Sequence, residues 1–142
     1  MSECRPAGRF PSEQRVRKRP EFQQIQKLAR RQNTQHFALL LFARAPADSQ
    51  GPARLGVTVS RRVGVAVVRN RAKRLLREAF RATRDLWPPG MDLVVIVKQP
   101  LGNMRLQEVV AEWRAEARGV RRREVQAEQD RVARNLAVAA SP

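Results

Sequence analysis

Ten basic side chains lie between residues 54 and 84: Arg54, Arg61, Arg62, Arg69, Arg71, Lys73, Arg74, Arg77, Arg81 and Arg84, against one acid, Glu78. That set is suited to holding phosphate. A guanidinium forks onto phosphate oxygens and stacks on bases, where an ammonium acts as a point charge. Asn70, between Arg69 and Arg71, adds an amide that can donate and accept at a sugar or base edge. At 100° per residue Val68, Ala72, Leu75, Leu76, Ala79, Phe80 and Thr83 share one helical face. Arg69, Lys73, Arg74, Arg77, Arg81 and Arg84 fall mainly opposite. The expected helix, Val67 to Arg84, would be roughly 25 Å long and could lie along several phosphates.

Residues for breaking bonds are harder to find. Metal-assisted phosphodiester hydrolysis needs clustered carboxylates, but Glu21, Asp48, Glu78, Asp85 and Asp92 are scattered. Glu108, Glu112 and Glu116 follow a four-residue spacing, which reads as the solvated side of a helix. His36 is the only histidine and has no evident partner for general-base or nucleophilic work. No glycine-rich phosphate loop of the Walker or dinucleotide type occurs, and Gly64 reads as a turn glycine. Cys4 is the only cysteine, so an internal disulfide or cysteine-based zinc site is excluded. No catalytic and no metal-binding residue of the polypeptide is expected.

The elements that must position the cations follow from periodicity. Residues 1–14 carry Pro6, Gly8 and Pro11 without a pattern and read as a flexible basic arm. Glu21 to Leu28 is a short helix, with Pro20 suited to its first turn. His36 to Arg44 is a strand. Residues 45–52 form a loop, and Arg54 to Ser60 alternates as a half-covered strand should, so the two strands suggest a hairpin. Trp87-Pro88-Pro89-Gly90 stops the basic helix. Asp92 to Lys98 has the apolar run of a central strand. Arg105 to Val120 is a second amphipathic helix, and residues 124–142 read as a weak helix fading into an Ala-rich tail. The fold class is α+β: a small mixed sheet with helices on one face and the other face open. One domain is expected over residues 15–120, with a basic, Ala-rich extension over 121–142. Phe22 and Phe37 have two readings, core packing or a base-stacking platform on the open face.

The 142 residues carry 29 basic and 13 acidic side chains, a net charge of +16, which implies a polyanionic partner. By count 25 of the 29 are arginine, which favours nucleic acid. A basic amphipathic helix can also sit on a membrane, but its apolar face is expected in the core. No apolar run approaches the ~20 residues that span a bilayer, and no secretory-type stretch opens the chain. A soluble, cytoplasmic protein is expected.

The residues also carry a resemblance. Arg69-Asn70-Arg71, then Lys73-Arg74-Leu75, Arg77-Glu78 and Phe80, resembles the signature of the bacterial ribonuclease P protein family. Leu55 to Arg62 is similar to the strand and basic pair before that signature, and Gly64, Ala66 and Val67 to its connecting turn. Asp92 to Lys98 with Pro100 resembles the strand after it, and Arg17-Lys18-Arg19 with Glu21-Phe22 the opening of the first helix. The resemblance spans roughly residues 14–115. It implies an α-β-β-β-α-β-α order with a left-handed crossover, against the usual hand. One strand of that order has no distinct counterpart here, unless it is the return of the hairpin. It further implies support of an RNA catalyst that removes the 5′ leader of precursor tRNA, with chemistry done by the RNA and Mg²⁺ and no cofactor held by the protein. The implied partners are the catalytic RNA and precursor tRNA, with neither membrane nor DNA. On this likeness Arg61, Arg62, Arg69, Asn70, Arg71, Lys73, Arg74 and Arg77 dock the RNA. Lys18, Phe22, Thr58 and Ser60 line the leader cleft. Gln26 and Leu40 stand where the family often has aromatics, so stacking is expected to be weaker or arranged differently, for example through Phe37. Two other readings remain, a general structured-RNA or ribosome-associated binder and a self-sufficient nuclease.

Overall fold

Phe37–Ala43 is apolar at every position and Met91–Val97 at every position but Asp92, and both strands occupy the interior of the sheet. In the computed structural model, which describes residues 15–16, 19–45 and 51–140, four strands run in the order β1-β2-β4-β3. They are β1 (Arg30–Asn33), β2 (Phe37–Ala43), β3 (Arg54–Val59) and β4 (Met91–Val97). The helices are α1 (Arg19–Leu28), α2 (Ala66–Ala82), α3 (Leu106–Ala115) and α4 (Ala117–Ala140). β2 is buried along its whole length and β4 at every position but Ile96. Strands covered on both faces need apolar side chains along nearly their whole length, so these two sit in the middle, with the Asp92 carboxylate held by arginines at the end of β4. The polar β1 and the alternating β3 take the edges.

The hairpin expected between residues 36–44 and 54–60 does not form. β4 lies between β2 and β3, antiparallel to β2 and parallel to β3. The hairpin partner of β2 is β1, paired from Arg30↔Leu41 to Asn33↔Ala38. β1 is the strand missing from the sequence reading. Its Arg-Arg-Gln-Asn sequence has no apolar alternation because it buries almost nothing.

Strand alternation divides the core in two. On one face Phe37, Leu39, Leu41, Leu93 and Val95 pack against Leu76 and Phe80 of α2, Val109 and Trp113 of α3, and Val120 and Ala127 of α4. A run of aromatic contacts braces this side: Phe37–Trp113, Trp113–Trp87 and Trp87–Phe80, with centroids 6.0, 5.8 and 6.3 Å apart. On the other face Leu40, Phe42 and Val94 meet Val16, Ile25 and Phe22. The helices thus gather on one face, as expected for α2, α3 and the start of α4, while α1 covers part of the other.

α2 ends at Ala82. There the Thr83 hydroxyl donates to the Ala79 carbonyl (2.7 Å) and the Trp87 indole N–H donates to Thr83 Oγ1 (2.9 Å). The helix expected over 105–120 breaks at Glu116, and α4 then runs unbroken from Ala117 to Ala140. Close packing explains this arrangement. A Cβ on Gly119 would lie 2.6 Å from the end of the Gln32 side chain, so α4 passes β1 closely enough that any larger residue there would make Gln32 move. Arg30 grips Asp130 with two bonds of 2.8 and 2.9 Å. Arg134 lies 4.6 Å over the Phe42 ring and donates to the Ala43 carbonyl. The expected arm at residues 1–14 and the expected leader contact Lys18 lie outside the described residues.

Candidate nucleic-acid interface

α2 forms because its apolar residues recur at helical spacing, and the expected Ala72, Leu76, Ala79 and Phe80 are the ones it buries. Val68, also expected inward, is 42% exposed. Asn70, Arg71 and Arg74 are exposed, and Arg69, Lys73 and Arg77 are half-buried. Arg61 and Arg62 stand exposed on a short 3₁₀ turn, Arg61–Val63, between β3 and α2. The structure thus sets all eight expected RNA-docking residues along one turn and one helix. Val65 caps α2 without a side-chain hydrogen bond, and no acid lies in the first turn. The first-turn N–H groups and the positive end of the helix dipole are therefore left to an outside acceptor.

Among the described residues none of Arg61, Arg62, Arg69, Arg71, Lys73, Arg74 and Arg77 forms an ion pair. Burial, then repulsion from Arg15 and Arg74, pushes the Arg77 guanidinium below its ordinary value. An anion placed there would relieve that repulsion. Arg71 spends one donor on the Gly102 carbonyl at 3.2 Å, out of five on a guanidinium.

Beside α2 lies a groove of about 270 Å³, with Phe22, Gly56 and Val16 on one side and Lys73 and Arg77 on the other. Gly56 determines its shape: a Cβ there would fall 2.8 Å from Phe22 Cε1 and 3.2 Å from Val16 Cβ. The half-buried Phe22 ring therefore rests directly on the β3 backbone. Thr58 shares that sheet face, two residues on, and is paired with Ile96. Ser60 is exposed at the foot of the Arg61–Val63 turn. The outer edge of β3 is held by the N-terminal segment, where the Val16 N–H donates to the Leu55 carbonyl at 2.9 Å.

Phe37 does not belong to this cleft. Its strand parity places it with Leu39 and Leu41 on the opposite face, fully buried and edge-on to Trp113. It cannot stand in for the missing aromatics. Leu40 has the cleft-side parity but is buried beneath Phe22, and Gln26 is exposed one turn after Phe22. Phe22 is the aromatic the structure places in the groove. The sequence reading missed Gly56, Val16 and Arg15, and only the alternation of β3 hinted at Gly56.

The carboxylates read as a solvated helix face have structural work instead. Glu112 accepts from the Thr34 hydroxyl and, at 2.7 Å, from the His36 backbone N–H, and its other oxygen meets His36 Nδ1 at 2.7 Å. Burial pushes the Glu112 carboxyl up, but the Thr34 and His36 hydrogen bonds outweigh it and hold the group below the usual glutamate value. Glu116 accepts from the Gln32 amide, and Glu108 accepts from the Arg105 N–H to cap α3. Among the described residues no group of three or more His, Cys, Asp or Glu side chains is placed to hold a metal ion. No described helix is long and apolar enough to cross a membrane.

A helix whose Arg69, Arg71, Lys73, Arg74 and Arg77 form no ion pair among the described residues, set beside a sheet groove that carries one aromatic ring, defines a nucleic-acid-docking α+β domain. The chain belongs to the ribonuclease P protein family: the family model described as "Ribonuclease P" matches residues 10–120. It is 43% identical over 97 residues to the ribonuclease P protein component of Desulfovibrio desulfuricans, covering 68% of this chain and 73% of that one. It is 36% identical over 109 residues to that of a Geobacter species, covering 77% and 90%. Among solved structures it resembles the RNase P protein of Thermotoga maritima, with TM-score 0.62, 30% identity, and 71% and 92% of the two chains covered. It also resembles that of Staphylococcus aureus, with TM-score 0.62, 27% identity, and 72% and 90% covered.

Proposed function

We propose that this chain is the protein subunit of ribonuclease P and assists the RNA-catalysed removal of the 5′ leader from precursor tRNA. Arg61, Arg62, Arg69, Asn70, Arg71, Lys73, Arg74 and Arg77 dock the catalytic RNA. Phe22, Thr58 and Ser60, with Lys18, receive the leader. The observation that carries this reading is the row of cations on one rigid helix, Arg69, Arg71, Lys73, Arg74 and Arg77, none of which forms an ion pair among the described residues. Two RNAs repel each other when substrate meets catalyst. A cationic wedge between them releases counterions and lowers that cost, and with it the demand for Mg²⁺. On this reading the Mg²⁺ belongs to the RNA, as the family resemblance implies. This work suits the cytoplasm, where tRNA precursors and the catalytic RNA would meet.

A second reading comes from a relative. A Staphylococcus aureus RNase P protein mutant, 26% identical with TM-score 0.62, is described as defective in mRNA degradation activity. One experiment separates the readings: cleavage of a precursor tRNA at low Mg²⁺ with catalytic RNA alone, protein alone, and both. Cleavage at the mature 5′ end by the mixture only supports the subunit role. Cleavage by the protein alone overturns the RNA-catalysed mechanism. No gain over RNA alone leaves a general RNA-binding protein.

A further inference from the structure

A groove of about 510 Å³ opens between the start of α2 and the loop before α3. Val63, Val67, Val68, Leu75, Leu101 and Met104 give it apolar walls. Val67 is 78% exposed and the neighbouring Val65 69%. A soluble protein seldom leaves large apolar side chains clustered in water without a use for them. The site is also built closely: a Cβ on Gly64 would fall 2.8 Å from Val68 Cγ1. Gly64 thus lets the turn close down on Val68. Arg71 stands at the mouth, steadied by the Gly102 carbonyl. No residue of the wall is acidic, and the groove continues directly into the cationic face of α2.

We propose that this groove receives an unpaired base of the RNA that docks on α2. The inference rests on the RNA-docking reading and deepens it. Arginine at the rim suits a phosphate, and valine, leucine and methionine inside suit the flat apolar body of a base. The volume falls in the range of about 300–1,000 Å³ typical of pockets that enclose small-molecule-sized groups. A protein partner would need acids to meet the arginine rim, and a second copy of this chain would bring +16 of like charge. A paired, stacked base costs a few kcal/mol to extrude, so the occupant is a base already free in a loop or bulge, the usual target of sequence-specific RNA contacts. The groove would add discrimination that phosphate contacts alone do not supply.

The test compares full-length wild type with Val67→Ser, Val67→Ile and Arg69→Ala for binding to folded catalytic RNA across a salt series. Val67 is exposed, so thermal melting of Val67→Ser should match wild type. Val67→Ser should weaken binding about tenfold with the salt slope unchanged, because no phosphate contact is lost. Val67→Ile should bind as wild type does. Dimethyl sulfate probing should show one unpaired base protected by wild type and reactive again with Val67→Ser. Unchanged affinity, a slope that falls together with affinity, or a loss confined to anionic phospholipid vesicles would each overturn the base slot. If Arg69→Ala also leaves RNA binding intact, the docking reading itself fails. If Arg69→Ala weakens binding and Val67→Ser does not, only the base slot fails.

Discussion

Two populations of arginine occupy this chain, and their surroundings differ at every point. At one end of the sheet Arg44 and Arg54 converge on the buried Asp92, with contacts of 2.8, 2.9 and 2.8 Å, and Arg54 also reaches Glu21 at 3.2 Å. Around the rim Arg30 pairs with Asp130, Arg114 with Asp85 and Arg131 with Glu128. The Asp92 hydrogen bond, then its charge and that of Glu21, outweighs burial and drives the Arg54 guanidinium above its ordinary value. Arg77 on α2 is driven the other way. Composition counts these arginines alike. The structure shows one set consumed in tying strands and helices together, and another on a single face that forms no ion pair among the described residues.

The sharpest way to break that contrast is to remove the shared acid. Asp92→Ala removes the buried carboxylate that Arg44 and Arg54 share and should cost about 3–5 kcal/mol of stability, read as a lower melting temperature. The salt slope for RNA binding of the folded fraction should not change. A variant as stable as wild type would mean that the Arg44–Asp92–Arg54 cluster does not hold the sheet end.

Smaller and confined to the groove, Gly56→Ala pushes a methyl into the Phe22 ring. Phe22→Ala removes the ring outright. Each should weaken precursor tRNA relative to mature tRNA by about 1–3 kcal/mol, the worth of one stacked base. Equal losses on both RNAs would take Phe22 out of the leader cleft.

Smaller again is the acid response, in which two carboxyls pull in opposite directions. Burial raises the Glu124 carboxyl to about 7, against the opposing pull of Arg121. Its charged form is the costly one, so stability should rise as pH falls from neutral toward the ordinary glutamate value of 4.5. Glu112 is held low in the fold. Its contribution is therefore present above the ordinary value and lost as pH falls through the lowered one. Denaturant melts across this range should show a gain and then a loss. Glu124→Gln should flatten the first limb and Glu112→Gln the second.

What the sequence disclosed follows from how strongly each element is patterned. α2 and β4 were legible because one has a helical apolar stripe and the other an unbroken apolar run. β1 was not, since Arg30–Asn33 earns its place through backbone pairing to β2 and through Arg30–Asp130. Residues 124–142 read as a fading tail because what holds α4 beyond Val120 is Ala127, the Arg30–Asp130 pair and Arg134 instead of an apolar stripe. Sheet order was hidden as well, since nothing local states that β4 inserts between β2 and β3. Of the expected site, the α2 cations were legible from type and spacing alone. Of the two readings of Phe37, strand parity selects core packing against Trp113 and takes it out of the leader cleft. Gly56 escaped because its role is to be absent where Phe22 must lie.

The most direct measurement is the salt dependence of binding to the catalytic RNA for two exposed double variants. Arg71→Ala/Arg74→Ala removes cations without a carboxylate partner, and Arg30→Ala/Arg114→Ala removes two that have one. The account predicts a slope lower by about two units for the first pair, one per lost phosphate contact, and a wild-type slope for the second. Equal falls for both pairs would contradict it, because the RNA would then be responding to net charge and not to the face on which α2 presents it.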